Sequence, residues 1–405
     1  MKIKEIKARE ILDSRSNPTI EVKMVLENGI ESTSSVPSGA STGSKEALEL
    51  RDNDERFHGK GVLKAVKNVN EIIAPALFNM HLNINDVDKK MLELDGTENK
   101  SILGANAILG VSLCALKCLA ALEGKELYEF VSTGNFNMPL PMINVINGGK
   151  HADNNLDFQE FMLVPAQKSE KERIRCSSEI FNTLKSTLKK YHLSTGVGDE
   201  GGFAPDLNNN EEALMILLMA ITDSGYTPGK DVFLALDIAA SEIYKDGFYT
   251  VDNKKLTKEK LFDYYVYLIK KYPIISIEDP FEENDFESFR KLTEYFGNKI
   301  MVVGDDLFVS QKKYLKKGIE LGAGNAILLK ANQVGSITEF FDTIYLAKKS
   351  GYKTIISHRS GETLDTFIAD LGVGLNLDFI KTGSVSRGER ICKYNRLLEI
   401  EDKLN

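Results

Sequence analysis

Across residues 232–383, six short apolar runs rich in β-branched residues alternate with polar and amphipathic segments of helix length. VFLALD ends at Asp237, IISIED carries Glu278 and Asp279, and MVVGDD carries Asp305. AILLK ends at Lys330, TIISHRS carries His358, and FIKTG carries Lys381. Continuous apolar runs without polar alternation predict strands buried on both faces, as in a parallel sheet covered by helices. In a (β/α)8 barrel the working residues sit at the C-terminal strand ends, because that face carries the βα-loops. One Asp or Glu at a strand end is ordinarily a helix cap or a solvated loop charge. Such residues closing six runs in series have no structural reason to converge, and they define a candidate site.

Two earlier runs, PLPMINVI and FQEFMLVP, bring the count to eight, with strands beginning near residues 140, 158, 232, 274, 300, 326, 353 and 379. The loop at 147–157 is too short for a crossover helix, so the second strand is expected to run antiparallel to its neighbours. A helix is expected over roughly 169–190. Upstream, residues 3–37 alternate polar and apolar positions around an Asn28-Gly29 hairpin turn, which predicts a small antiparallel meander. Helices are expected near 44–51, 60–77, 86–94 and 103–123. The last, LGANAILGVSLCALKCLAALEG, is apolar nearly all round and suits a helix packed on several neighbours. Strands followed by helices describe an α+β domain. Pro139 and Pro141, after the polar STGNFN stretch, mark the change of pattern. The expected organisation is an α+β domain over 1–131 and an α/β barrel over 132–405.

Composition narrows the function classes. A 405-residue chain with a formal charge of −8 lacks the basic footprint of a protein that binds nucleic acid or an anionic membrane. The four cysteines, Cys114, Cys118, Cys176 and Cys392, are sparse and read as reduced thiols. Cys114 and Cys118 lie four apart in a helical pattern, which suits one packed face. MKIKEIKARE has no apolar signal core, and no apolar run reads as a membrane span, so a cytoplasmic protein is expected.

The strand-end series then supplies chemistry. Asp237, Glu278 and Asp305 offer hard oxygen ligands from three successive strands, the donor class of Mg²⁺ rather than Zn²⁺. Lys330 follows on the next strand, where a metal's charge would lower its pKa and free an amine to act as base. His358-Arg359-Ser360 would offer an anion site, with Arg359 suited to bidentate contact. NGGKHADNN and GDEGGFAP set His151 and Glu200 among glycines. SGASTG at 38–43 has the wrong spacing for a phosphate loop. It reads either as a helix-entry turn capped by Ser44 or as a lid whose Ser41 reaches a ligand from the other domain.

The chain closely resembles the enolase family in its bacterial form over nearly its whole length. The resemblance is carried by DSRSNPTIEV at 13, VPSGASTGSKEALELRD at 36, NGGKHADNNLDFQEFM at 147, GDEGGFAP at 198, SIEDPF at 276, GDDLFV at 304, LLKANQVGSITE at 328, SHRSGET at 357 and IKTGSVSRGERICKYNRLLEIE at 380. It implies a ββαα(βα)6 barrel behind an N-terminal capping domain, and Mg²⁺-dependent interconversion of 2-phospho-D-glycerate with phosphoenolpyruvate and water. By the same resemblance Asp237, Glu278 and Asp305 would hold the first Mg²⁺, and Lys330 would be the base for C2. Glu200, supported by Glu160, would be the acid for the C3 hydroxyl, with Gln159 on the same wall and His151 entering on its loop. Arg359, Ser360 and His358 would contact the substrate, and Lys381 its carboxylate end. A second Mg²⁺ would arrive with substrate and bind Ser41. The resemblance also implies a homodimer or higher oligomer, and leaves room for a cell-surface or secreted pool and for RNA-degradation partners. Five features depart from the pattern. Ser16 stands for a glycine, Leu364 stands for a glutamate, which puts hydrogen bonding near His358 in question, LNLDFIKTG differs ahead of the Lys381 motif, the stretch 124–137 is short, and the total length is slightly under the usual.

Overall fold

A computed structural model describes residues 1–40, 43–132 and 134–404. The meander is present as β1 (Ile3–Leu12), β2 (Pro18–Leu26) and β3 (Glu31–Ser35), paired antiparallel in that order. The turn at Asn28-Gly29 holds, with Gly29 at a φ of 87°. Helix Ala105–Leu122 packs across β2 and β3, and its approach is so close that a Cβ on Gly110 would lie 2.6 Å from Val22 Cγ2. This helix is long and apolar enough to cross a membrane, but most of it is buried inside the fold, as an all-round apolar helix in a large core should be. Cys114 and Cys118 both lie on it, buried and unpaired.

The barrel strands follow as β4 (Leu140–Asn147), β5 (Glu160–Pro165) and β6 (Val232–Asp237). A small side sheet comes next, β7 (Tyr244–Lys245), β8 (Phe248–Val251) and β9 (Lys254–Leu256). The barrel then continues through β10 (Ile274–Glu278), β11 (Met301–Gly304), β12 (Ala326–Leu329), β13 (Lys353–Ser357) and β14 (Phe379–Lys381). It closes in the order β10-β11-β12-β13-β14-β4-β5-β6. As the short 147–157 loop requires, β5 runs antiparallel to both β4 and β6, while the other neighbouring pairs are parallel. The interior is a packed apolar plug that includes Met142, Met162, Val303, Ala326, Leu328 and Ile355. On β12 the alternate residues Ile327 and Leu329 join the outer core instead, so an unbroken apolar run serves two cores through its period of two.

One expected helix is absent. Residues 44–51 form a turn and irregular chain, because their polar groups find partners far along the sequence. The Ala47 and Leu48 amides donate to Gln333 O and Asn99 O, and the Ala105 amide donates back to Leu48 O. Ser44 Oγ, expected as a cap, donates to Glu283 instead. The expected helix at 169–190 is present as Glu170–Lys190, capped by Ser169 Oγ accepting from the Glu172 amide. A second helix, Asn210–Asp223, precedes β6 and supplies the second α of the ββαα start. The side sheet is not among the expected strands, although Asp246-Gly247, both at positive φ, is a tight-turn signal.

Candidate active site at the barrel mouth

Strand register explains why distant residues meet. Glu160 pairs with Asn147 on one side and Asp237 on the other, and Asp237 pairs with Glu278. Since β5 runs backwards, its first residue, not its last, faces the mouth. That reversal brings Gln159 and Glu160 level with the C-terminal ends of the parallel strands. Going round the closed ring, the mouth carries Glu278 on β10, Asp305 after β11, Lys330 after β12, His358 after β13, Lys381 on β14, Asn147 on β4, Glu160 on β5 and Asp237 on β6.

Lys381 sits at the centre. Its Nζ lies 2.9 Å from Asp237 Oδ2, 2.9 Å from Glu278 Oε2 and 3.1 Å from Glu160 Oε2, and Gln159 Nε2 donates to Asp237 Oδ2 at 3.3 Å. Burial disfavours a charged amine, but the three carboxylates outweigh it and hold Lys381 well above the ordinary lysine range. The Glu278 carboxyl is pushed well up by burial and by the Asp237 charge.

Lys330 Nζ pairs with Asp305 Oδ2, and Gln333 Nε2 donates to Asp305 Oδ1 at 2.9 Å. Ser310 Oγ donates to Gln333 Oε1 and accepts from the Lys330 amide, which keys this corner together. Burial pushes Lys330 down, yet Asp305 more than compensates, so the chain's own side chains raise the Lys330 pKa rather than lower it. Asp279, held at a φ of 41°, accepts the Asp305 and Asp306 amides with its two oxygens and shapes the end of β11. Burial and the Asp305 charge push its own carboxyl up to about 8.

Across the ring, His151 Nδ1 lies 3.3 Å from Glu160 Oε1 and 3.4 Å from Glu200 Oε1. The loop carrying Glu200 is anchored on β4, with the Phe203 amide donating to Val145 O and the Asn147 amide to Phe203 O. Burial and the Glu200 charge raise Glu160 to about 7. Burial also pushes Glu200 up, but His151, His358 and Arg390 bring it well below the usual carboxylate range. In this cluster the proton is therefore held by Glu160 rather than by Glu200, on the side of the ring opposite the Lys330 corner.

The anion-site residues are engaged by the N-terminal domain. Glu46 Oε2 lies 2.9 Å from Arg359 Nη1, Asn332 Oδ1 accepts from the same nitrogen, and Ser360 Oγ accepts from the Ala40 amide at 2.7 Å. A Cβ at residue 39 would fall 1.9 Å from Arg359 Nη2, so a side chain there would displace the guanidinium from this position. Ser41, expected on a lid and as a metal ligand, lies outside the described residues. Leu364 is 71% exposed. The His358 ring is held by Glu200 and Arg390.

The donor set can be tested for a metal. Asp237, Glu278 and Asp305 are buried carboxylates with no competing thiol, a set that fits a hard divalent cation. Asp237 and Glu278 already converge on one positive charge, the Lys381 ammonium, whereas Asp305 is turned to Lys330. Among the described residues the tight ligand groups are Asp279–Asp305–Asp306 and His151–Glu160–Glu200, so the expected trio is not itself drawn together at that range.

Reading the sequence missed Arg390, Glu46, Gln333 and Asn144, whose Nδ2 donates to Glu200 Oε2 at 3.1 Å; all four contact site residues. Arg390, Glu46 and Gln333 lie inside motifs already singled out, RGERICKYN, SKEALELRD and LLKANQVGSITE, but nothing in their spacing marks them. A groove of about 490 Å³ outside the barrel, floored by Phe262, Phe281 and Tyr295, includes none of these groups.

Comparison with known families agrees with this geometry. Residues 3–131 match the model described as "Enolase, N-terminal domain" and residues 135–405 that described as "Enolase, C-terminal TIM barrel domain". Between them the two cover both the meander-and-helix unit and the barrel with its reversed second strand, and the chain belongs to the enolase family.

Proposed function

We propose that the protein is a Mg²⁺-dependent hydro-lyase that interconverts 2-phospho-D-glycerate with phosphoenolpyruvate and water in glycolysis and gluconeogenesis. One observation carries the reading. In the eight-strand ring β12 and β5 are four places apart in either direction, so Lys330 and the Glu160–His151–Glu200 group oppose one another across the mouth. An anti elimination needs that opposition, with a base on one face of the substrate and an acid on the other.

In this reading Lys330, once relieved of its proton, takes the hydrogen from C2. Glu200, ionised in the free site, receives a proton from Glu160 through His151, which lies between them, and delivers it to the departing C3 hydroxyl. Arg359 and Ser360 hold the phosphate, and Glu46 must yield Arg359 to it. Lys381 and Gln159 border the carboxylate end. Asp237, Glu278 and Asp305 would hold a Mg²⁺, and a second ion would come with substrate to Ser41. Bound there, the metal would supply positive charge to the substrate carboxylate as C2 loses its proton. Burial of the whole group keeps water from competing for either proton.

The same reading makes the protein a cytoplasmic homodimer or larger homo-oligomer, with residues 1–131 capping 132–405. Growth of phosphoenolpyruvate absorbance from 2-phosphoglycerate, with Mg²⁺ and with EDTA, tests it. Turnover abolished by EDTA and restored by Mg²⁺ is expected. A folded, Mg²⁺-binding protein that turns over nothing would overturn it.

A further inference from the structure

Arg390 heads the fully buried side chains when these are ranked by volume, and it lies in the first turn of helix Gly388–Leu404. Both facts count against it energetically. A buried guanidinium is costly, and the N-terminal end of a helix favours negative charge, not positive. Nor is it held by a carboxylate fork, since Glu389 Oε1 lies 3.5 Å from Nε. Its strong contacts go elsewhere. Nη1 lies 2.8 Å from His358 Nδ1 and 2.6 Å from Arg359 O, while Nη2 donates to Ser360 O at 2.6 Å and to Asp199 O at 3.1 Å.

A guanidinium can only donate, so His358 Nδ1 must be the acceptor in that contact. In a neutral ring the remaining proton is then on Nε2, which faces Glu200 Oε2 at 3.4 Å. The ring is kept neutral, because burial pulls its pKa down to about 4. The other donors of Arg390 grip the peptide just before Glu200 and the two peptides just after His358. Gly383 leaves room for this reach. At its φ of 79°, a Cβ would lie 2.8 Å from both Arg390 Cδ and Glu200 O.

We infer that Arg390 is a positioning residue for the acid side of the reaction, fixing His358 as the Nε2–H tautomer so that it donates to Glu200 and orients that carboxyl toward the leaving hydroxyl. The inference rests on the proposed reaction for its kinetic consequence, though not for the tautomer itself. No proton leaves Arg390 and no bond to it changes. It acts only through the ring and the loop carbonyls.

The test combines ring ¹⁵N NMR of His358, assigned by its loss in His358→Gln, with kinetics of Arg390→Met and Arg390→Lys. In the parent protein Nε2 should carry the proton and Nδ1 should be bare. In Arg390→Met the ring should become a mixture of tautomers, and dehydration should fall about tenfold or more relative to exchange of the C2 proton, which depends on Lys330. Arg390→Lys, which keeps a donor, should hold the parent tautomer and recover part of the dehydration rate. A parent ring protonated on Nδ1 or on both nitrogens overturns the inference. So does a folded Arg390→Met protein with an unchanged ratio of dehydration to exchange. Should Arg390→Met fail to fold, the parent ring and Arg390→Lys decide. If the parent neither exchanges nor dehydrates 2-phosphoglycerate, the reaction assignment falls, and the tautomer alone decides the role of Arg390.

Discussion

Two lysines end strands only two places apart in the barrel ring, and their surroundings give them different work. Lys381 is almost wholly buried and meets three carboxylates, Asp237, Glu160 and Glu278. Lys330 keeps 13% of its side chain exposed and meets one, Asp305, which Gln333 also satisfies. Both amines are shifted upward, so the direction of the shift does not separate them. The number of counter-charges does. An amine surrounded by three carboxylates cannot readily surrender its proton, and it acts as a fixed cation that lets those carboxylates stay together. An amine with one partner can be released by any change that occupies that partner. In the proposed reaction, the corner that exchanges protons is the lightly held one.

The strongest test removes the fixed cation. Lys381→Met leaves three buried carboxylates without their shared counter-charge, and breaking a buried ion pair from one side typically costs about 3–5 kcal/mol. Denaturant unfolding in EDTA should show a loss of that size, and added Mg²⁺ should restore part of it by binding only the folded state. A variant as stable as its parent in EDTA would show that Lys381 does not hold the group together.

Removing the lightly held amine should act on rate instead. Lys330→Ala should slow exchange of the C2 proton by about 10²–10⁴-fold, the usual contribution of a general base. Its loss of stability should be smaller than that of Lys381→Met, since Asp305 keeps Gln333. Glu200→Gln should block dehydration while exchange continues. Equal loss of exchange in both variants, each folded and metal-bound, would undo the division between the two sides of the mouth.

How much of this could be read in the chain follows from what each feature depends on. Strand-end residues were legible because an apolar run and the charge that ends it are local. The reversal of β5 was legible as well, since 147–157 is too short to cross a barrel. The helix expected at 44–51 failed because residues 99, 105, 283 and 333 claim its amides, a carbonyl and a side chain, and no local pattern encodes such partners. Arg390 was hidden for the same reason. Its value lies in reaching Asp199, His358 and Ser360 at once, and a sequence motif shows the arginine without the reach.

The smallest effect extends the comparison to a place with no chemistry. Glu170 begins helix Glu170–Lys190, fully buried, with Arg173 Nη1 at 3.1 Å from Oε2 and no partner on Oε1. One cation for one carboxylate here leaves burial dominant, unlike at the Lys330–Asp305 pair, and the Glu170 carboxyl is pushed from 4.5 up to about 7. A raised folded-state pKa means that the folded protein holds this proton more tightly than the unfolded chain. The stabilising contribution is therefore complete below the unfolded value and is lost as pH rises through about 7. Glu170→Gln, which cannot titrate, should lack this decline. Between about pH 4.5 and pH 8 the unfolding free energy of the parent should fall relative to the variant by up to about 3 kcal/mol. Parallel pH profiles for the two proteins would mean that Arg173 fully compensates the buried charge, and that a single counter-ion holds this carboxylate as firmly as Lys330 holds Asp305.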